Sequence, residues 1–302
     1  MRRVTLGLLW TGVMVAAVAG GAVRVVQSVQ PSSYWGRLSA EGDQPLNSVA
    51  YAIALFFCLR ITADYGKGTP MRLAWMFMAA SCSTSLLRHV FELGMVQMGL
   101  ANTMRTTLVS LRQIPTELSL VFMAASLLVM WRSFAALGLG VRFKWFDWVL
   151  MAAFLFLIPL ISSSPVEMRD SHSAYTFIRF LQSASPYCLA VVAVLAVFLY
   201  RTTTDLGAGQ LSLSLWFVLL SVALRLFVML LGVWPSLSEH PMINIASRGT
   251  FAASHWVFLL GMGYRWLLTV SNSEMVSRYQ QSAEAELAEL SRMVMTTSRI
   301  RN

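Results

Sequence analysis

The chain has 302 residues, 57% of them hydrophobic and 12% charged, with a mean hydropathy of +0.62. A soluble domain of this size needs far more charge to cover its surface. The net charge of +9 is scattered along the chain, and without a basic domain to carry a site, nucleic acid is excluded as a partner.

Apolar runs of roughly twenty residues recur from end to end, each long enough to cross about 30 Å of hydrocarbon as a helix. Backbone amides in lipid must be satisfied within their own segment, and the alternating pattern of a membrane barrel is absent. The expected fold is all-α: a polytopic bundle of about eight transmembrane helices followed by a C-terminal cytoplasmic helix, with the lipid bilayer as its first partner.

Met1-Arg2-Arg3 precedes the first run, which continues to Val23. A secretory signal has a shorter apolar core and a small-residue cleavage site, so residues 1–26 are expected to be a retained N-terminal anchor helix. Gly12, Ala16 and Gly20 form a stripe of small residues that allows close approach of another helix within the bundle. Residues 27–46 carry Pro31, Gly36, Gly42 and Pro45 and read as an external loop, with Tyr34 and Trp35 suited to the interface.

Further spans are expected at about 47–63, 73–95, 116–135, 145–162, 176–200, 211–233 and 249–270. Together, residues 47–270 read as a seven-helix bundle. Cys58, Cys82 and Cys188 all lie inside apolar runs without a CxxC spacing. They imply neither a disulfide framework nor a zinc site and are expected to be small buried apolar residues. With the N-terminus inside, fourteen Arg and Lys residues fall on the cytoplasmic side against six outside (Arg24, Arg37, Arg105, Arg112, Arg169 and Arg248). That bias predicts cytoplasmic N- and C-termini in a bacterial-type inner membrane.

Ionisable residues inside spans are costly and mark functional sites by default. The third span carries Ser81, Ser85, Arg88 and Glu92 on one face, with Cys82 and His89 beside them. Glu117 opens the fourth span, Arg179 opens the sixth, Arg225 lies in the seventh and His255 in the eighth. Arg88, Arg179, Arg225 and His255 fall at one depth, in the outer third of the membrane, counting about 1.5 Å per residue. Three arginines face two carboxylates there, which suits a small anionic or carbonyl-rich ligand. Arg88, His89, Glu92, Glu117, Arg179, Arg225 and His255 are therefore the candidate ligand-binding residues. A plainer reading pairs Arg88 with Glu92 along their own helix and lets Arg179 snorkel to the interface. Pro186 is expected to bend the sixth span near the same level.

His89 and His255 share a depth on different spans, as axial ligands of a haem b would, but a second histidine pair is missing. No HExxH, GxSxG or phosphate-binding glycine loop occurs, so no catalytic residue and no metal site is assigned and an enzyme is not indicated. The only lysines, Lys67 and Lys144, lie in connections, which excludes a retinal Schiff base within a span.

Residues 271–302 are rich in helix formers and free of glycine and proline. The helix starts at a cap formed by Asn272 or Ser273, or continues the eighth span. Val276, Ala283, Leu290 and Thr297 interleave with Gln280, Leu287 and Val294 at heptad spacing. This seam points to a parallel homodimer through Val276, Ala283, Leu287, Leu290 and Val294, the alternative being an amphipathic helix on the membrane surface.

The resulting expectation is an integral membrane sensor or receptor-like module that signals through its C-terminal helix to a cytoplasmic partner. A secondary transporter and a haem- or quinone-associated redox subunit are the alternatives. No output domain occurs within these residues, so the sensor reading calls for that partner or a longer parent protein.

Overall fold

The computed structural model describes residues 2–29, 44–97, 113–136, 144–162, 173–205, 209–231 and 240–300; some side chains within these helices, including all those from residue 271 on, are not described. Every regular element among the described residues is helical: α1 (Arg2–Val29), α2 (Gln44–Ala63), α3 (Pro70–Gln97), α4 (Gln113–Ala136), α5 (Trp145–Ser162), α6 (Ser173–Asp205), α7 (Gly209–Leu231) and α8 (Pro241–Ile300). Each of the expected helical runs is thus a helix. Tyr34 and Trp35 of the expected external loop lie outside the described residues.

Five of these helices contain stretches long and apolar enough to cross a bilayer: Leu6–Val23, Pro45–Ala63, Ile114–Ala136, Ala184–Thr204 and Ser212–Leu231. Eight spans are not reached on this measure. α3 carries Arg72, Arg88, His89 and Glu92, and α8 carries Arg248, His255 and Arg265 in its first half and ends in a polar half. A helical membrane bundle is what these lengths and compositions describe.

α2, α3, α4, α6, α7 and α8 pack in that order and close into a ring, because α8 returns to lie against α2. α1 lies outside the ring along α8, and α5 lies outside it against α6 and α7. Short connections set this order where they are described. At the α2–α3 turn Gly68 adopts φ +83°, a left-handed conformation that glycine adopts without steric cost. Thr69 then caps α3 by accepting the Arg72 amide at 3.3 Å, with Pro70 at the first helical position, where a missing N–H costs nothing.

Hydroxyl groups clasp the ring helices together. Ser81 Oγ donates to the Ser119 carbonyl at 2.8 Å, and Ser85 Oγ meets Ser119 Oγ at 2.6 Å, joining α3 to α4. Ser214 Oγ donates to the Gly261 carbonyl at 2.9 Å, joining α7 to α8. At the start of α5, Asp147 accepts the Lys144 amide and pairs with Arg201 of α6.

The small-residue stripe of α1 faces α8. A Cβ on Gly20 would lie 2.9 Å from both Ala252 Cβ and the Arg248 carbonyl, and one on Gly249 only 2.6 Å from the Ala17 carbonyl. Such backbone proximity is what small-xxx-small stripes provide where helices gain little from hydrophobic exclusion.

α8 runs unbroken for 60 residues, so the tail continues the preceding helix and Asn272 caps nothing. At about 1.5 Å per residue it is about 90 Å long, against a bilayer of about 40–45 Å including headgroups. A helix of that length reaches well beyond any membrane it crosses.

Gly249→Val would drive a side chain into the α1 backbone. We expect it to release α1 from α8, seen as protease sensitivity near residue 30 and a lower thermal midpoint in detergent. An unchanged melt and digestion pattern would show that this contact is dispensable.

Candidate functional site

Inside the ring, toward the ends where α2 and α8 begin, lies a cavity of about 180 Å³. All six ring helices contribute to its wall: Tyr51 from α2, Ser85, Arg88 and His89 from α3, Thr116, Ser119 and Leu120 from α4, Ser185 and Leu189 from α6, Arg225 and Met229 from α7, and Phe251 and His255 from α8. No carboxylate occurs among these lining residues.

The centre of the site is a triangle of hydrogen bonds. Arg225 Nη2 donates to the Tyr51 hydroxyl at 2.7 Å and lies 2.9 Å from His255 Nδ1. The Tyr51 hydroxyl is itself 2.9 Å from that nitrogen. A guanidinium cannot accept a hydrogen bond, so Nδ1 is the acceptor and the His255 proton sits on Nε2. The bonds therefore run from Arg225 through Tyr51 to His255, with Arg225 Nε adding a long contact to Ser254 Oγ at 3.4 Å. Tyr51 and His255 are each 3% exposed. In such surroundings these bonds are stronger than they would be in water.

Two donors are left over. His255 Nε2 is buried with no hydrogen-bond partner, and no described group accepts a hydrogen bond from Arg225 Nη1. The His89 ring stacks on Tyr51, 5.4 Å between centroids, and meets His255 edge to face at 5.5 Å. Ser85, Ser119, Ser185 and Thr116 supply hydroxyls on the opposite wall, while Leu120, Leu189, Met229 and Phe251 are apolar. An oxygen atom carrying negative charge, or a strongly polarised carbonyl oxygen, is the complement of such a surface.

Of the seven candidate residues, Arg88, His89, Arg225 and His255 are brought together here. Glu117 is buried but turned to the Cys188 thiol of α6, and it does not line the cavity. Glu92 and Arg179 lie on α3 and α6, their side chains outside the described residues. Pro186 sits inside α6 without ending it.

The direct contact between the His89 and His255 rings leaves no gap for a porphyrin between them. The cavity is also small beside the roughly 300–1,000 Å³ of pockets that hold drug-sized ligands.

Tyr51 was not among the sequence candidates, although it joins the arginine to the histidine. Its signal was the depth shared with Arg225 and His255, together with the rule that a buried tyrosine hydroxyl finds a polar partner. The hydroxyls of Thr116, Ser119 and Ser185 were missed because serine and threonine occur throughout apolar helices, where they bond their own backbone.

No protein-family model matches the chain, nor does any curated protein or solved structure.

Tyr51→Phe removes both the acceptor used by Arg225 and the donor used by His255. It should lower stability in detergent by about 1–3 kcal/mol, the cost of leaving buried polar groups unsatisfied. Thermal or denaturant unfolding of the variant checks this, and a wild-type midpoint would mean the triangle contributes nothing.

Proposed function

We propose that the protein is an integral membrane sensor or receptor-like module that binds a small anionic or carbonyl-rich ligand and signals through its C-terminal helix. The observation that carries this reading is the donor-rich, carboxylate-free cavity inside the six-helix ring. A cavity of about 180 Å³ has room for a compact molecule or a headgroup. Arg88, Arg225 and His255 hold its oxygen atoms, and Leu120, Leu189 and Phe251 contact its apolar part.

The topology we propose has eight spans, α3, α5 and the first half of α8 joining the five more apolar ones, with both termini in the cytoplasm of a bacterial-type inner membrane. The excess of Arg and Lys on one side supports it. The cavity then opens outward, and the far half of α8 projects inward.

The output is supported by continuity. His255 lies in the cavity wall and Leu287 on the heptad seam, both on one uninterrupted helix. A ligand that favours one packing of the ring shifts α8, and with it the parallel pair formed through Val276, Ala283, Leu287, Leu290 and Val294, toward the state read by a cytoplasmic partner. Two tethered copies are already concentrated, so a short seam suffices.

Native mass spectrometry of protein extracted gently from its own membranes tests both halves. The expected spectrum is a dimer carrying a small anionic or carbonyl adduct. Arg225→Gln should lose the adduct yet remain dimeric, and removal of residues 273–302 should give a monomer that keeps it. A monomer without adduct would sink the proposal. Solute flux in vesicles, lost in Arg225→Gln, would mark a transporter instead.

A further inference from the structure

Seven residues from each of three rings at the cavity, Tyr51, His89 and His255, stands a sulfur atom. Cys58 follows Tyr51 on α2, Cys82 precedes His89 on α3, and Met262 follows His255 on α8. Seven residues are two helical turns, so the faces that meet at the cavity meet again about 10 Å along the bundle. There the Cys58 and Cys82 sulfurs are 4.0 Å apart, and Cys58 Sγ lies 3.7 Å from Met262 Sδ.

We propose that Cys58, Cys82 and Met262 form a binding site for a soft monovalent cation of the Cu(I) class. The first argument is distance. Metal–sulfur bonds of about 2.3 Å arranged in a plane hold their sulfurs about 4 Å apart, close to the Cys58–Cys82 and Cys58–Met262 separations. Little rearrangement is needed, and the ion occupies the space between touching sulfurs.

The second argument is donor chemistry. Two thiols and a thioether, each at most 2% exposed, offer only soft ligands, the set that selects Cu(I) over harder ions. No group of three or more His, Cys, Asp or Glu side chains placed to hold a metal occurs among the described residues, so no harder site competes nearby.

The third is access and charge. A separate crevice of about 20 Å³ reaches Met262 and is lined by Met71, Met78 and Met130 as well, so further thioethers stand on the approach to Met262. Arg265, one turn beyond Met262, lines the same crevice, and its Nε is a buried donor without a partner. Binding of Cu(I) forms two thiolate–copper bonds and one thioether–copper bond, while both thiol protons leave to solvent. No electron is transferred. The centre carries a net charge of −1, and Arg265 supplies the opposing charge. Because the ligands come from α2, α3 and α8, the ion would fasten α8 to α2 and α3 about 10 Å along the bundle from the cavity rings, independently of what the cavity binds.

The test is titration of the reduced, full-length protein in detergent with Cu(I) against a chromophoric Cu(I) chelator, followed by copper X-ray absorption. One ion per chain with a sulfur-only shell at about 2.3 Å is expected. Cys58→Ser and Cys82→Ser should each weaken binding by more than about 100-fold and Met262→Leu by about 10-fold, while Cys188→Ser binds as the wild type does. Circular dichroism of the metal-free variants confirms folding. Wild-type affinity in folded Cys58→Ser, or no binding by the folded wild type, overturns the site. Should the cysteine variants fail to fold, the wild-type spectrum decides alone: oxygen or nitrogen in the copper shell refutes it.

Discussion

A guanidinium set among apolar helices is stable there only when hydrogen-bond partners meet it. Arg225 is in that position, and its partners come from the two helices between which the ring closes. Tyr51 stands on α2 and His255 on α8. The bond network that satisfies one costly side chain thereby fixes where the first and last ring helices meet. Packing alone specifies that junction weakly, since lipid chains are as apolar as the leucines they would replace. The serine clasps between α3 and α4 and between α7 and α8 serve the same purpose with less energy.

The cavity follows from the same requirement. Six helices that each bring polar groups to one level cannot fill the space between them with leucine, and the arginine and imidazole groups hold the walls apart. Polarity and incomplete packing arise together at one depth. Side chains such as Met78, Met123, Leu199 and Phe258 are fully buried elsewhere in the ring.

Helix existence was legible in the sequence because apolar length is a strong signal, and the shared depth of Arg88, Arg225 and His255 followed from counting residues. The ring order was not legible. Apolar helices look alike on every face, so nothing in the sequence says that α5 stands outside while α8 returns to α2. The partners of Arg225 were not legible for a related reason. Glu92 and Glu117 drew attention as carboxylates, whereas Arg225 Nη2 meets a tyrosine and a histidine, groups whose role depends on which helix they face. The sulfur triplet was invisible in the same way, since Cys58, Cys82 and Met262 become neighbours only once α2, α3 and α8 are set side by side.

One helix belongs to every level of this arrangement. α8 carries the glycine seam against α1, His255 in the cavity wall, Met262 among the sulfurs and Arg265 in the crevice beside them, before continuing as the long distal segment. A helix is stiff over such distances, so rotation at His255 cannot be absorbed before Met262, two turns on. On the proposed function, an occupant that reorients Arg225 or His255 would disturb the triangle that closes the ring, at the α2–α8 junction. The contact with α1 limits any motion of α8: a Cβ at Gly249 would lie 2.6 Å from the Ala17 carbonyl, so only the glycine face of α8 fits against α1.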